Sequence, residues 1–185
     1  IDMNILFTSA GRRNYLINYF KEALKSRGKI FAADMQLTAP ALVDADVRIQ
    51  TPEIYDQNYI SSLKKIVKEN NLQAVIPLND LELPTLSEHK KEFESLGAKV
   101  IVADKLAINI AFDKWKTVKF LKSLGLESPK TYLSLEKAKE AIDKGELTFP
   151  LVVKPSWGSA YIGICDRKSV VEGKRVDLGG RRIIK

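Results

Sequence analysis

The chain has 185 residues, of which 45% are hydrophobic and 29% charged; that gives room for one full domain and part of another and excludes the disordered and fibrous classes. No apolar run approaches the roughly 20 residues of a membrane helix, one cysteine excludes an internal disulfide and one histidine a zinc-type cluster, so a cytoplasmic protein without a membrane partner is expected. Residues 166–185 hold +4 of the formal charge of +7, and the nearly balanced remainder argues against a nucleic-acid partner.

Apolar runs alternating with amphipathic stretches predict repeated strand and helix units around a mostly parallel sheet, an α/β fold. Residues 4–8 read as a first strand and Ser9-Ala10-Gly11 as a turn. A helix over 12–26 follows, with Tyr15, Leu16, Tyr19, Phe20, Ala23 and Leu24 at helical spacing, and Gly28 stops it. Residues 29–33 are a second strand ending at Asp34, 39–43 a helical turn and 47–50 a third strand. A helix over 55–70 presents Tyr59, Ile60, Leu63, Ile66 and Val67 and ends at Asn70-Asn71. Residues 74–77 are a fourth strand, 83–96 a helix closed by Gly97, and 99–103 a fifth strand of β-favouring residues.

That completes a three-layer domain over 1–108. Beyond it, 104–111 and 113–124 read as helices, the second with Trp115, Val118, Leu121 and Leu124 available for packing. Residues 130–133 read as a strand, 135–144 as a helix with Ser134 at its N-cap, and 149–154 as a strand apolar enough to be buried, closed by Pro155. Residues 109–165 are the start of a second domain. His89 is assigned to a wet helical face, and Trp115 and Phe120 to a core.

Two lysines stand at element boundaries, Lys114 and Lys154. Lys154 follows an apolar run, so its ammonium must reach either water or an anion at the strand end. Residues 156–163 are rich in small side chains, which let backbone N–H groups approach phosphate oxygens. Gly158, Ser159, Ala160 and Gly163 are the candidates for that contact, and Ser159 adds a hydroxyl. The competing reading is an ordinary hairpin turn, and the absence of Gly-Lys-Ser/Thr excludes a Walker loop.

In the first domain the strand, Gly11, the helix and then Asp34 echo a Rossmann dinucleotide unit, yet Arg12 and Arg13 stand where further small residues would be wanted. An alternative is a non-catalytic nucleotide- or metabolite-binding module, holding its ligand at the strand ends through Gly11, Arg12, Asp34, Asn79 and Asp80.

The string Phe149-Pro150-Leu151-Val152-Val153-Lys154-Pro155 and the loop from Gly158 to Gly163 resemble the lysine strand and glycine-rich loop of ATP-grasp enzymes. Phe112-Asp113-Lys114, the helix after it, the Leu124-Gly125-Leu126 break and Pro129 resemble the entry to the same fold. Leu6 to Arg13, Asp34 and Pro77-Leu78-Asn79-Asp80-Leu81-Glu82-Leu83 look like the pre-ATP-grasp domain of carbamoyl-phosphate-synthase-like proteins. Ala160 and Tyr161 depart from the pattern, standing where relatives have smaller glycine and serine.

The resemblance implies a Rossmann-like pre-ATP-grasp domain with a parallel sheet, followed by an incomplete ATP-grasp domain. It further implies an ATP-dependent ligase acting through an acylphosphate, with ATP and Mg²⁺ as cofactors, a small-molecule carboxylate and amine as substrates, and room for a homo-oligomer. Lys114, Lys154 and the 158–163 loop would then face the triphosphate, where charge neutralisation does most of the work. The metal ligands would lie beyond residue 165, so the 185 residues by themselves are expected to be inactive. Residues 166–185 lack an amphipathic period and resemble the translation of a sequencing-library adapter; they are read as foreign to the natural protein.

Overall fold

Four consecutive buried residues, Ile5, Leu6, Phe7 and Thr8, form β1 (Ile5–Thr8). A strand buried throughout needs cover on both faces, which parallel sheets obtain from crossover helices. The computed structural model describes residues 3–158 and the strand Cys165–Arg167, and divides into units Ile1–Ile108 and Asn109–Lys185.

In the first unit the elements run β1, α1 (Asn14–Leu24), β2 (Ile30–Asp34), α2 (Ala41–Asp44), β3 (Val47–Gln50), α3 (Tyr59–Glu69), β4 (Ala74–Pro77), a 3-10 turn (Asp80–Glu82), α4 (Leu83–Ser95) and β5 (Lys99–Val100). The five strands are parallel in the order β3-β2-β1-β4-β5, with Leu6 opposite Phe31 on one side and Val75 on the other. This bears out the α/β parallel-sheet reading.

Alternation along the strands sorts the core into two layers. Ile5, Phe7, Ile30 and Ala32 pack with Ile17 and Leu42 from α1 and α2. Leu6, Phe31, Ala33 and Val75 pack with Leu63 and Val67 of α3 and Leu86 and Phe93 of α4. Removing most of a side chain such as Phe7, which is 0% exposed, would cost about 3–5 kcal/mol.

Several local expectations are corrected. On α1 the core-facing residue is Ile17, whereas Tyr15 and Tyr19 are 58% and 64% exposed and lie edge to face on each other. The apolar stripe is therefore rotated towards Leu16, Ile17, Phe20 and Leu24. β5 stops after two residues because the Val102 N–H folds back onto the Val100 carbonyl and leaves the ladder. The helix ends not at Gly28 but at Lys25, with Lys25 and Ser26 both at positive φ. Gly28, at φ 145°, serves a close approach instead: a Cβ there would lie 2.0 Å from the Met3 carbonyl oxygen.

The second unit contains α6 (Lys114–Ser123), α7 (Leu135–Asp143), β6 (Leu151–Val153) and β7 (Cys165–Arg167); α5 (Lys105–Phe112) holds the division between units. Asp113 caps α6 by accepting from the Trp115 and Lys116 N–H groups, and Ser134 caps α7 by accepting from the Lys137 N–H. β6 pairs with β7 in antiparallel register, Val152 opposite Asp166. β7 takes in Asp166 and Arg167, the first residues described from the segment read as a tail; residues 168–185 lie outside the described residues.

Here too there are corrections. Residues 130–133 are not a strand: no ladder partner reaches them among the described residues, Leu133 is exposed, and the Lys130 ammonium donates to the Glu146 carbonyl. β6 is not buried, since Val152 and Val153 are exposed and only β7 flanks it among the described residues. Phe120 is exposed rather than in a core, and Trp115 lies under the Lys119 ammonium. Among the described residues no helix is long and apolar enough to cross a membrane.

Gly28→Ala is expected to destabilise the protein by at least about 1–3 kcal/mol, because a left-handed φ and a backbone clash coincide; the denaturant midpoint measures it.

Candidate functional site

Two groups of candidate residues exist, one in each unit. In the first, the chain leaves β1 towards the α1 layer and leaves β4 towards the α4 layer, so the loops after these adjacent strands diverge. Such a switch point opens a crevice at the carboxyl ends of the strands.

The loop after β1 is tightly held. Ser9 and Gly11 both have positive φ, 47° and 54°, a conformation unusual for a serine and of the kind that collects at functional sites. The Ala10 N–H donates to the Ala33 carbonyl, and the Gly11 N–H donates to Asp34 Oδ2 at 3.0 Å. Asp34 Oδ1 accepts from the Gln36 N–H at 3.0 Å. Asp34 therefore fixes the loop with both oxygens. Arg12 is exposed, and Arg13 begins α1 without a side-chain cap or an acidic residue in the first turn, an electropositive helix end.

The loop after β4 is tied to β1, the Leu78 N–H donating to the Thr8 carbonyl. Asn79 Oδ1 accepts from the Leu81 N–H at 3.0 Å and caps the 3-10 turn, leaving Asp80 exposed. The strand ends thus bring Gly11 and Asp34 together directly, with Asn79 and Asp80 on the loop after the adjacent strand.

Beneath these residues lies a group that the sequence reading passed over. Glu82 is 0% exposed, and the Tyr59 hydroxyl donates to its Oε2 at 2.5 Å. Burial pushes the Glu82 carboxyl above the ordinary carboxylate range, against the lowering effect of the Thr8, Tyr59 and Ser9 hydroxyls and an Asn79 backbone bond. Burial, and after it the neighbouring Glu82 carboxyl, likewise raises the Tyr59 phenol. Thr8 Oγ1 and Glu82 Oε1 are both buried and each lacks a hydrogen-bond partner. The sequence does contain a signal for Glu82: it shares a helical stripe with Leu86 and Phe93, both buried.

In the second unit Lys114 opens α6, and its Nζ donates to the Gly158 carbonyl at 2.8 Å. The Lys114 N–H donates to the Ser156 carbonyl, and Asp113 and Trp157 form an isolated antiparallel bridge. The start of α6 is therefore stitched to residues 156–158. Lys154 stands exposed just after β6. Ser159, Ala160 and Gly163 lie outside the described residues. Among the described residues no cluster of three His, Cys, Asp or Glu side chains could hold a metal ion. His89, on α4, lies 2.6 Å from a Glu92 oxygen, and Glu92 also pairs with Lys64.

Comparison with known proteins identifies relatives of this chain. The sequence profile of the PylC-like N-terminal domain matches residues 5–101. The formate-dependent phosphoribosylglycinamide formyltransferase of Bacteroides fragilis is 33% identical over 148 residues, covering 77% of this chain and 35% of that protein. The carbamoyl phosphate synthase large chain of Pseudomonas putida is 28% identical over 147 residues, covering 74% of this chain and 13% of that one. The chain thus spans about a third or less of these relatives. The biotin carboxylase domain of Hydrogenobacter thermophilus 2-oxoglutarate carboxylase, solved with MgADP, ADP and bicarbonate, superposes with a TM-score of 0.62 at 18% identity, over 88% of this chain and 37% of that one. At that identity the likeness speaks for the fold.

Asp34→Ala should free the Gly11 and Gln36 N–H groups and destabilise the first unit by about 1.5–3 kcal/mol, the range for hydrogen bonds to a charged group. Asp34→Asn, which keeps an acceptor, should cost less; chemical denaturation of the two variants compares them.

Proposed function

This chain belongs to the PylC-like N-terminal-domain family, and on that premise we propose that it serves an ATP-grasp ligase joining a small-molecule carboxylate to an amine. In this reaction a carboxylate oxygen takes the γ-phosphoryl group as the bond to ADP breaks. The amine then forms its C–N bond as phosphate leaves, and gives up a proton. Transfer of this kind depends on positioning and on neutralising phosphate charge.

Lys114 and Lys154 supply positive charge in this reading, and backbone N–H groups of Gly158, Ser159, Ala160 and Gly163 approach the phosphates. The observation that supports it best is the stitching of α6 to residues 156–158. Lys114 and Lys154, far apart in sequence, belong to segments paired with each other through the Lys114 and Ser156 backbone and the Asp113–Trp157 bridge. The crevice residues Gly11, Arg12, Asp34, Asn79 and Asp80 are proposed to hold part of a substrate, with Arg12 and the start of α1 suited to an anionic group and Asp80 to an amine.

Among the described residues no group of three His, Cys, Asp or Glu side chains could hold a metal ion, and no step is assigned to Mg²⁺. Residues 1–185 alone are expected to release no ADP from ATP in a coupled assay with a panel of carboxylates. Magnesium-dependent product formation would contradict this.

Calorimetric titration tests the nucleotide assignment. ATP should bind in preference to NAD, and Lys114→Ala and Lys154→Ala should each weaken ATP binding about tenfold, roughly 1.4 kcal/mol. NAD binding without ATP binding, or lysine variants that bind ATP like the parent, would sink the reading.

A further inference from the structure

Glu82 occupies a place where an ionised carboxylate is hard to sustain. It is fully buried, its Oε2 accepts from the Tyr59 hydroxyl, and its Oε1 has no partner of good geometry. Thr8 Oγ1, also fully buried, is in the same position. Two unpaired buried polar atoms are costly, and the penalty is greater when one bears charge. The groups facing Glu82 are hydroxyls and backbone: Tyr59 from α3, Thr8 and Ser9 from the end of β1, and Asn79 from the turn. On its own stripe α4 offers Leu86 and Phe93, both apolar. Asp56, Lys64 and His89 line an open groove beside Tyr59, and Lys64 and His89 already pair with Glu92.

We propose that Glu82 is a positioning residue that holds its proton in the folded protein at neutral pH, pinning β1, α3 and the loop bearing Asn79 and Asp80 beneath the crevice. Protonation removes the charge from a fully buried carboxyl whose Oε1 has no hydrogen-bond partner, and leaves Oε2 free to accept from Tyr59. The neutral acid then stands among β1, α3 and the loop bearing Asn79 without an uncompensated buried charge. Thr8 has the parity of Leu6 along β1, which places it on the α3 and α4 side of the sheet where Tyr59 and Glu82 stand. The loop held in this way begins at Leu78 and includes both crevice candidates. The assignment stands whether or not the crevice takes a ligand, and its test uses none.

The test compares unfolding of the 185-residue protein and its Glu82→Gln variant from about pH 5 to pH 8. An unfolded glutamate releases its proton above its ordinary pKa, whereas folded Glu82 retains it. Folded-state stability from this group is therefore complete at low pH and is lost as pH rises. The wild-type unfolding constant should climb relative to that of Glu82→Gln by up to tenfold per pH unit. Contributions from His89 and the surface pairs are common to both proteins and cancel. A ratio that stays constant across the range overturns the proposal.

A second measurement needs no variant. In ¹³C-labelled wild-type protein the Glu82 carboxyl resonance should keep its protonated position at pH 7. If it titrates together with the exposed glutamates, the proposal fails.

Discussion

Ile5 and Phe7 face one side of the sheet and Leu6 and Thr8 the other, and none of the four is more than 4% exposed. A strand buried on both faces cannot host a polar side chain along its length without cost, so polar function is pushed to its carboxyl end. Thr8 is that end. From there the chain reverses through two residues at positive φ, and the adjacent β4 releases its own loop alongside. The crevice and its candidate residues follow from this burial.

The same constraint separates two kinds of acidic residue. Asp34 and Asp80 stand at strand ends, one engaged with backbone N–H groups and the other open to solvent. Glu82, only two residues past Asp80, is turned inward by the 3-10 turn and the start of α4. A carboxyl group therefore serves as loop anchor, as candidate ligand contact or as buried acceptor, according to where the backbone directs it. The second unit repeats the theme with cations: Lys114 is held onto the Gly158 carbonyl, while Lys154 is exposed.

Much of the layered fold could be read from periodicity. The limits of β3 and β4 coincide with the stretches 47–50 and 74–77 read as strands, and Tyr59, Leu63, Ile66 and Val67 are the buried face of α3 as their spacing suggests. Where reading failed, a partner surface was decisive. Tyr15 and Tyr19 are large aromatic residues at helical spacing, but the position of α2 and β2 selects which stripe of α1 is covered, and it covers Ile17. Among the described residues, 130–133 have strand-like composition and no ladder, and β6 is apolar yet flanked by one strand. Strand propensity reports a fit to a half-buried surface, and without that surface it has nothing to act on.

Sequence alone determined what local spacing and short motifs can encode: an α/β parallel sheet, the turn at Gly11, the helix that begins around Asp113 and Lys114, and the family to which these belong. Only the tertiary structure decided the strand order, the hold of Asp34 on Gly11 and the burial of Glu82 against Tyr59 and Thr8. Those contacts join segments more than twenty residues apart, and their energies depend on solvent exclusion by the assembled layers. Neither quantity exists until the sheet and its helices have come together.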